Sequence, residues 1–439
     1  MAPDTSTSEA PTAAPRRGRP FYGWYLVGAS SGIQLLIGAL SEQAFGGYAA
    51  ALTRDFGWSR GALGGVFSVA RVLTGLLGMP QGLLVDRLGP QVMMRAGLVL
   101  LALGLIAFSQ INSLGMFYVT YSLIALGGGL AGFISVTVAV VNWFDRYRAR
   151  AIGISFVGFA AGGLLAPLVI LAITTDWRAT ALASGVAVLV IGLPLTMFIR
   201  HRPEEMGLHV DGISPEEALL RRERDAAESR RSTSTTTDFT AREAFRTRAF
   251  WMVASGHGSA LMVVSAVQVH LFLHLTESLG YADGVAAVVL GVMTAAMVVG
   301  QVVGGFLGDR MSKRVVITVC MAGHASAMLL LASTVTPALV LLSAGIHGLS
   351  WGTRGPLMAA LNADYFGRTS FGSIFGVSTM VVTIGLVTGP LVAGLLYDAT
   401  GSYTPGFIVI ACAAALGSGF FMLATRPDLP RRAAVEGEN

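Results

Sequence analysis

Two arginines sit where charge is expensive. Arg71 falls midway along one apolar stretch, Ser68-Val69-Ala70-Arg71-Val72-Leu73-Thr74, and Arg354 midway along another, Trp351-Gly352-Thr353-Arg354-Gly355-Pro356. A guanidinium offers a planar fork of donors that matches a carboxylate. Two of them at membrane depth point to binding of an anionic solute. Glu42 lies in a third apolar stretch. A carboxyl in a dry pocket has its charged form disfavoured, so it can take up and release a proton. Glu42 is therefore a candidate for proton coupling, or simply an ion-pair partner for Arg71. His257 and His347 are further proton-coupling candidates, since imidazole titrates near physiological pH. Tyr121 and Gln268 are polar groups that would complete an anion site. Gln34, Asn142, Gln301 and Thr383 are of the same kind, and each alone also serves as glue between helices. His270 and His274, four apart, share a helix face at metal-ligand spacing. No third ligand stands nearby, so no metal site is expected. The segment around Arg354 is expected to unwind, because Pro356 cannot donate to the Gly352 carbonyl and two glycines flank the arginine.

The elements that position these residues must be membrane helices. Of 439 residues, 53% are hydrophobic and only 13% are charged, against roughly a quarter charged in soluble domains. The mean hydropathy is +0.65. Lipid must cover much of such a surface, and 55 glycines suit close helix packing in a bilayer. A span needs about 20 apolar residues. Helices are expected at 22–51, 60–85, 91–110, 113–142, 149–173, 178–199, 249–276, 284–307, 314–332, 337–363, 370–397 and 404–424. The expected fold is an all-α membrane protein of twelve transmembrane helices. Its parts are a disordered N-tail (1–20), a six-helix bundle (21–199), a polar linker (200–248), a second six-helix bundle (249–425) and a C-tail (426–439). Arg16, Arg17 and Arg19 precede an apolar run too long for a cleaved leader.

Lys and Arg placement sets the orientation. With the N-terminus inside, inner segments hold 25 of these residues and outer segments three; setting aside the linker still leaves 15 against three. Both termini are expected in the cytoplasm of a cell with this protein in its inner, cytoplasmic membrane. The basic residues sit at helix ends, so the net charge of +5 implies no nucleic-acid partner. The two cysteines, Cys320 and Cys412, lie in separate apolar stretches and form no disulfide framework. No phosphate loop, dinucleotide fingerprint, nucleophile turn or zinc-protease motif is present, so no enzymatic activity and no cofactor are expected.

The two halves repeat. Gly82-Leu83-Leu84-Val85-Asp86-Arg87 returns as Gly305-Phe306-Leu307-Gly308-Asp309-Arg310, 223 residues later. Trp143-Phe144-Asp145-Arg146 returns as Tyr365-Phe366-Gly367-Arg368, and Ala166-Pro167-Leu168 as Gly389-Pro390-Leu391. Matches at one spacing imply two bundles related by a pseudo-two-fold axis along the membrane normal.

Gly82-x-x-x-Asp86-Arg87-x-Gly89, with its copy at Asp309, resembles the signature loop of the major facilitator superfamily. That resemblance spans the chain and implies alternating access, with Gly82, Asp86, Arg87, Asp309 and Arg310 as a conformational gate. The Asp would accept from donors at an adjacent helix end and the Arg would anchor among lipid headgroups. Phe21-Tyr22-Gly23-Trp24-Tyr25, Trp143-Phe144-Asp145-Arg146, Arg202-Pro203-Glu204-Glu205-Met206-Gly207 and Asp364-Tyr365-Phe366-Gly367-Arg368 resemble the bacterial monocarboxylate and oxalate–formate branch. That branch moves small organic anions, often with a proton. Its arginine in the eighth helix and lysine in the first or eleventh are absent here. The expectation is a monomeric secondary transporter, with a small anionic solute and a proton as its partners in the lipid bilayer. Drug or metabolite efflux on the same fold is the alternative, and a transport-like membrane sensor a remote one.

Overall fold

A computed structural model describes residues 20–220, 238–333 and 336–428. The basic N-tail, the Ser232–Thr237 run of the linker and most of the C-tail lie outside the described residues. Apolar runs of span length become helices because only internal hydrogen bonding satisfies the backbone in lipid. In chain order they are α1 (Tyr22–Phe56), α2 (Arg60–Leu76 continuing as Gly78–Leu88), α3 (Pro90–Phe108) and α4 (Leu114–Trp143). Next come α5 (148–175) and α6 (177–198), one helical run broken by the extended backbone of Asp176 at φ −153°, ψ 100°. The second half holds α7 (Arg248–Ser278), α8 (Asp283–Gly308), α9 (Lys313–Ser333), α10 (Pro337–Phe366), α11 (Phe371–Thr400) and α12 (Thr404–Leu423). Side chains fix several starts: Ser59, Ser113 and Thr247 accept from the amides of Ala62, Met116 and Phe250.

Each half is a bundle with its own packing pairs, α3 on α4 and α1 on α5 in the first, α8 on α10 and α7 on α11 in the second. With six helices per half, the described ends of the chain and the segment joining the halves lie on one face, called here the linker face. The halves meet mainly through α2 against α11 and α5 against α8.

Three irregularities shape the interior. A π turn over Gly38–Glu42 interrupts α1; such turns often mark functional positions. The backbone of α4 breaks at Gly132 (φ −87°, ψ −127°), and Gln81 Nε2 of α2 donates to the Gly129 carbonyl at 2.7 Å beside that break. Third, α2 bends by 49° between Leu76 and Gly78. By contrast, α10 does not unwind at Arg354–Pro356. It is a continuous helix through Pro356, because Gly300 and Gly304 of α8 pack directly on the Gly352–Thr353 backbone and Gly153 of α5 rests near the Pro356 ring.

Candidate functional site

The linker face is closed by glycines and aspartates working together. Gly75, Gly78 and Gly82 recur at helical spacing along the side of α2 that meets α11. A Cβ at Gly82 would collide with the Gly372 carbonyl, and one at Gly78 would stand 2.8 Å from the Gly376 carbonyl. That approach lets Asp86 reach the start of α11. Its carboxylate accepts from the amides of Gly372 (2.9 Å) and Ser373 (2.8 Å) and from the Ser373 hydroxyl (2.6 Å). Asp309 repeats the arrangement at the start of α5, accepting from the amides of Ala149 (3.0 Å) and Arg150 (3.4 Å). Free amides and the positive end of the helix dipole favour a carboxylate at both places. Arg87 and Arg310 project outward and are exposed.

Two further arginines cross between the halves. Arg148, nearly buried, donates to Asp364 at 2.6 Å, to Asp145 at 3.0 Å and to the Phe144 carbonyl at 3.1 Å. Lys313 pairs with the second oxygen of Asp364 at 2.6 Å. Arg368 reaches the other way, donating to the Asn142 carbonyl at 3.1 Å and to Glu204 at 3.3 Å. The linker joins in through its ends. Asp211 accepts from the amides of Asp145 and Arg146, and Asp238 from those of Arg368 and Thr369. The motif copies around Arg146 and Arg368 pointed to this region, but nothing in the sequence ties Asp211 or Asp238 to it.

Toward the opposite face the halves part. Contact between α2 and α11 concentrates on Gly78–Leu88 and thins over Arg60–Leu76. Arg71 lies one turn beyond Gly75 on the same side of α2. Its guanidinium meets Glu42 at 2.5 Å, and the two side chains are 44% and 27% exposed. Arg71 also stacks over the Phe67 ring at 4.7 Å. Phe67 packs on Phe45, and Phe45 on Tyr121, with ring centroids 5.1 and 4.9 Å apart. Tyr121 lies within electrostatic reach of both Glu42 and Arg71. The π turn ends on Glu42 and so sets where its carboxylate emerges. Arg71, Glu42 and Tyr121 thus form one cluster at the mouth of the inter-half contact.

Arg354, His257 and His347 form a second cluster inside the second bundle. Arg354 is 1% exposed, whereas the Arg71 side chain is 44% exposed. Gln268 belongs to neither cluster and is exposed on α7. His270 bridges helices, its ring nitrogens lying 3.0 Å from the Pro390 carbonyl and 3.3 Å from the Tyr403 hydroxyl. His274 packs edge-on against Tyr403 and Phe407. Among the described residues no three ligating side chains gather as for a metal ion.

The sequence pattern of the Major Facilitator Superfamily matches residues 32–282 and 253–439. The chain belongs to that superfamily. An uncharacterized transporter, YybO, from Bacillus subtilis (strain 168) is 26% identical over 418 residues, covering 91% of this chain and 93% of the relative. Monocarboxylate transporter 11 of Mus musculus is 26% identical over 346 residues, covering 76% and 72%. The proton:xylose symporter XylE superposes with a TM-score of 0.72 at 15% identity, over 93% of this chain and 96% of that one. As a major facilitator the protein is a multi-pass membrane transporter and not an enzyme. The two six-helix bundles are the expected twelve-helix architecture, and the glycine-backed aspartates are a contact between its halves.

Proposed function

We propose that this transporter carries small organic anions of the monocarboxylate kind, with a proton, by alternating access. The observation behind the proposal is the Arg71–Glu42 pair, placed where the halves part. A guanidinium in a cleft recruits a carboxylate, and Glu42 holds one of its terminal nitrogens. A proton on Glu42 would release Arg71 to the carboxylate of the solute. The proton would thereby cancel the added negative charge, which suits passage through a medium where net charge is costly. The name of the mouse relative, a monocarboxylate transporter, supports the same solute class.

In this scheme the linker face is cytoplasmic, following the excess of Lys and Arg there. The protein sits in the cytoplasmic membrane with both termini inside, and one chain suffices, since it carries both halves. The conformation described has its cytoplasmic side locked by Asp86, Asp309, Arg148 and Arg368. Return to the inward-facing state must break those contacts, and Gly82, Arg87 and Arg310 move with them.

The test is uptake into liposomes under an imposed inward proton gradient. Labelled lactate, pyruvate, oxalate and formate and one lipophilic cation form the panel, with protein-free liposomes correcting for weak-acid leak. Gradient-dependent uptake of an anion, lost in Arg71→Ala, is the expected result. Uptake of the cation alone, or no anion flux even in preloaded vesicles, would sink the proposal.

A further inference from the structure

A group of basic side chains lies inside the second bundle, away from the cleft. His347, Trp351 and Arg354 follow one another at four- and three-residue steps on α10, which places them on one side of that helix. Cys320 and His324 do the same on α9, four residues apart. His257 comes from α7. These sides face one another. The Nδ1 atoms of His324 and His347 are 3.2 Å apart, and the His347 and Trp351 ring centroids are 6.2 Å apart. Arg354 is within electrostatic reach of His257, Cys320, His324 and His347.

The burial is nearly complete: 1% exposure for Arg354, 0% for His324, 1% for His347 and 9% for His257. Hydrogen-bonding capacity is nonetheless left over. Nε and one terminal nitrogen of Arg354, Nδ1 of His257, and Nε2 of both His324 and His347 have no partner among the described residues. No carboxylate of the described residues pairs with Arg354. A buried cation that loses its proton escapes the cost of burial, but a guanidinium cannot be deprotonated in a protein. A buried charge without a partner is among the most destabilising features a fold can contain. The charge therefore calls for an anion, and His257 together with whichever ring of the His324–His347 pair accepts at Nδ1 can present an N–H to it.

We infer that this cluster in the second bundle binds one small monovalent anion, held by Arg354 with His257 and one imidazole of the His324–His347 pair as further donors. The chemistry fits an inorganic halide and a short carboxylate equally, being one negative charge on very few atoms. The site is separate from the Arg71–Glu42 pair and stands whether or not that pair binds the transported solute.

The experiment uses the full chain in detergent, exchanged into a buffer with sulfate as its only anion. Equilibrium dialysis with radioactive chloride and, separately, radioactive formate measures binding to the wild type directly. Thermal unfolding is followed as sodium chloride or sodium formate is added at constant ionic strength. The expected result is saturable binding of one anion per chain and a matching saturable rise in Tm. Arg354→Gln should abolish both and His347→Gln should weaken binding severalfold; every measurement is repeated in Arg71→Gln, so that any formate held by the Arg71 cluster is subtracted. Saturable chloride binding identifies a resident halide, formate binding without chloride identifies a carboxylate solute, and either supports the site. No saturable binding of either anion to the wild type would overturn the inference without recourse to any variant. So would binding that survives Arg354→Gln in the Arg71→Gln background. Failure of this test leaves transport through the Arg71 cluster unaffected, because Arg71→Ala in liposomes reads that separately.

Discussion

Asp86 and Asp309 stand 223 residues apart, and the peptide groups they hold, 372–373 and 149–150, stand 223 apart as well. One contact has been made twice, once across each interface between the halves. Both copies favour the same conformation, with the linker face closed. They therefore act on a single equilibrium through different partners on different helices, and their effects should add. Asp86→Asn removes the charge at the start of α11 and one of its acceptor oxygens. Such a carboxylate is worth about 1–2 kcal/mol in partly buried settings. The closed population should fall roughly tenfold relative to the open one, where about 1.4 kcal/mol corresponds to tenfold. Asp309→Asn should do the same, and the double variant should show the summed shift. Distances between spin labels on the exposed Leu88, at the end of α2, and the exposed Met311, just beyond α8, measured by pulsed dipolar spectroscopy, report the populations. An unchanged distance distribution in the double variant would show that the lock is decorative.

Glycine substitutions should separate gate from fold. Gly82 meets the Gly372 carbonyl across the halves, whereas Gly158 meets the Ser31 carbonyl between α5 and α1 within one bundle. A methyl group at either site forces helices apart, at about 1–3 kcal/mol for overpacking. Gly82→Ala can relieve that strain by opening the linker face, so it should shift the spin-label distances with little change in Tm. Gly158→Ala has no such escape and should lower Tm while leaving the distances alone. A Cβ at Gly355 would meet nothing within 4 Å, so Gly355→Ala is the control and should be silent in both measurements.

A pH effect is expected from His201, which lies beside Gly89 on the linker face. Burial holds its imidazole below the usual range, with the Arg202 charge adding to the effect. The folded protein therefore prefers the neutral ring. Its stabilising contribution is complete above about pH 6.5, the ordinary value for histidine, and is lost as the pH falls below that. The contribution of His201 is isolated by comparing the wild type with His201→Asn at pH 7.5 and 5.5. The wild type should lose more Tm than the variant on acidification; equal losses would exclude His201 as a source of acid sensitivity.

Most of the twelve helices were legible because lipid imposes a long, largely apolar run on a span, and most expected ends fall within a few residues of the observed ones. The paired aspartates were legible because the repeat prints them twice. What could not be read was how each helix bends. Nothing in Gly38-Ala39-Leu40-Ser41-Glu42 marks a π turn. It arises where Gly38 and Gly162 bring α1 and α5 backbones together, a tertiary contact. The reverse error came at Pro356, where a strong local signal for unwinding is overruled by packing from α8 and α5. Pairing of Arg71 with Glu42 was one of two open alternatives in the sequence, and the geometry joins them. The burial of Arg354 among α7, α9 and α10 was hidden because helix rotation, not depth, decides which residues face the cleft.

The ion pair in the cleft yields the sharpest functional expectation. If Glu42 holds the Arg71 fork until a proton arrives, Glu42→Gln fixes the released state. Anion exchange between preloaded vesicles and medium should persist in that variant, because exchange needs the fork and no net proton movement. Uptake driven by a proton gradient should fall at least tenfold, roughly the effect of removing one 1.4 kcal/mol coupling. Arg71→Gln should abolish both activities, and Arg71→Lys should retain part of the exchange, because an ammonium keeps the charge but loses the paired donors. The double variant Glu42→Gln/Arg71→Gln should match Arg71→Gln alone, since a proton site has nothing to release once the fork is gone. Equal loss of exchange and gradient-driven uptake in Glu42→Gln would instead mean that the pair only braces α1 against α2. The exchange-to-uptake ratio of that single variant therefore distinguishes a coupling carboxylate from a structural one.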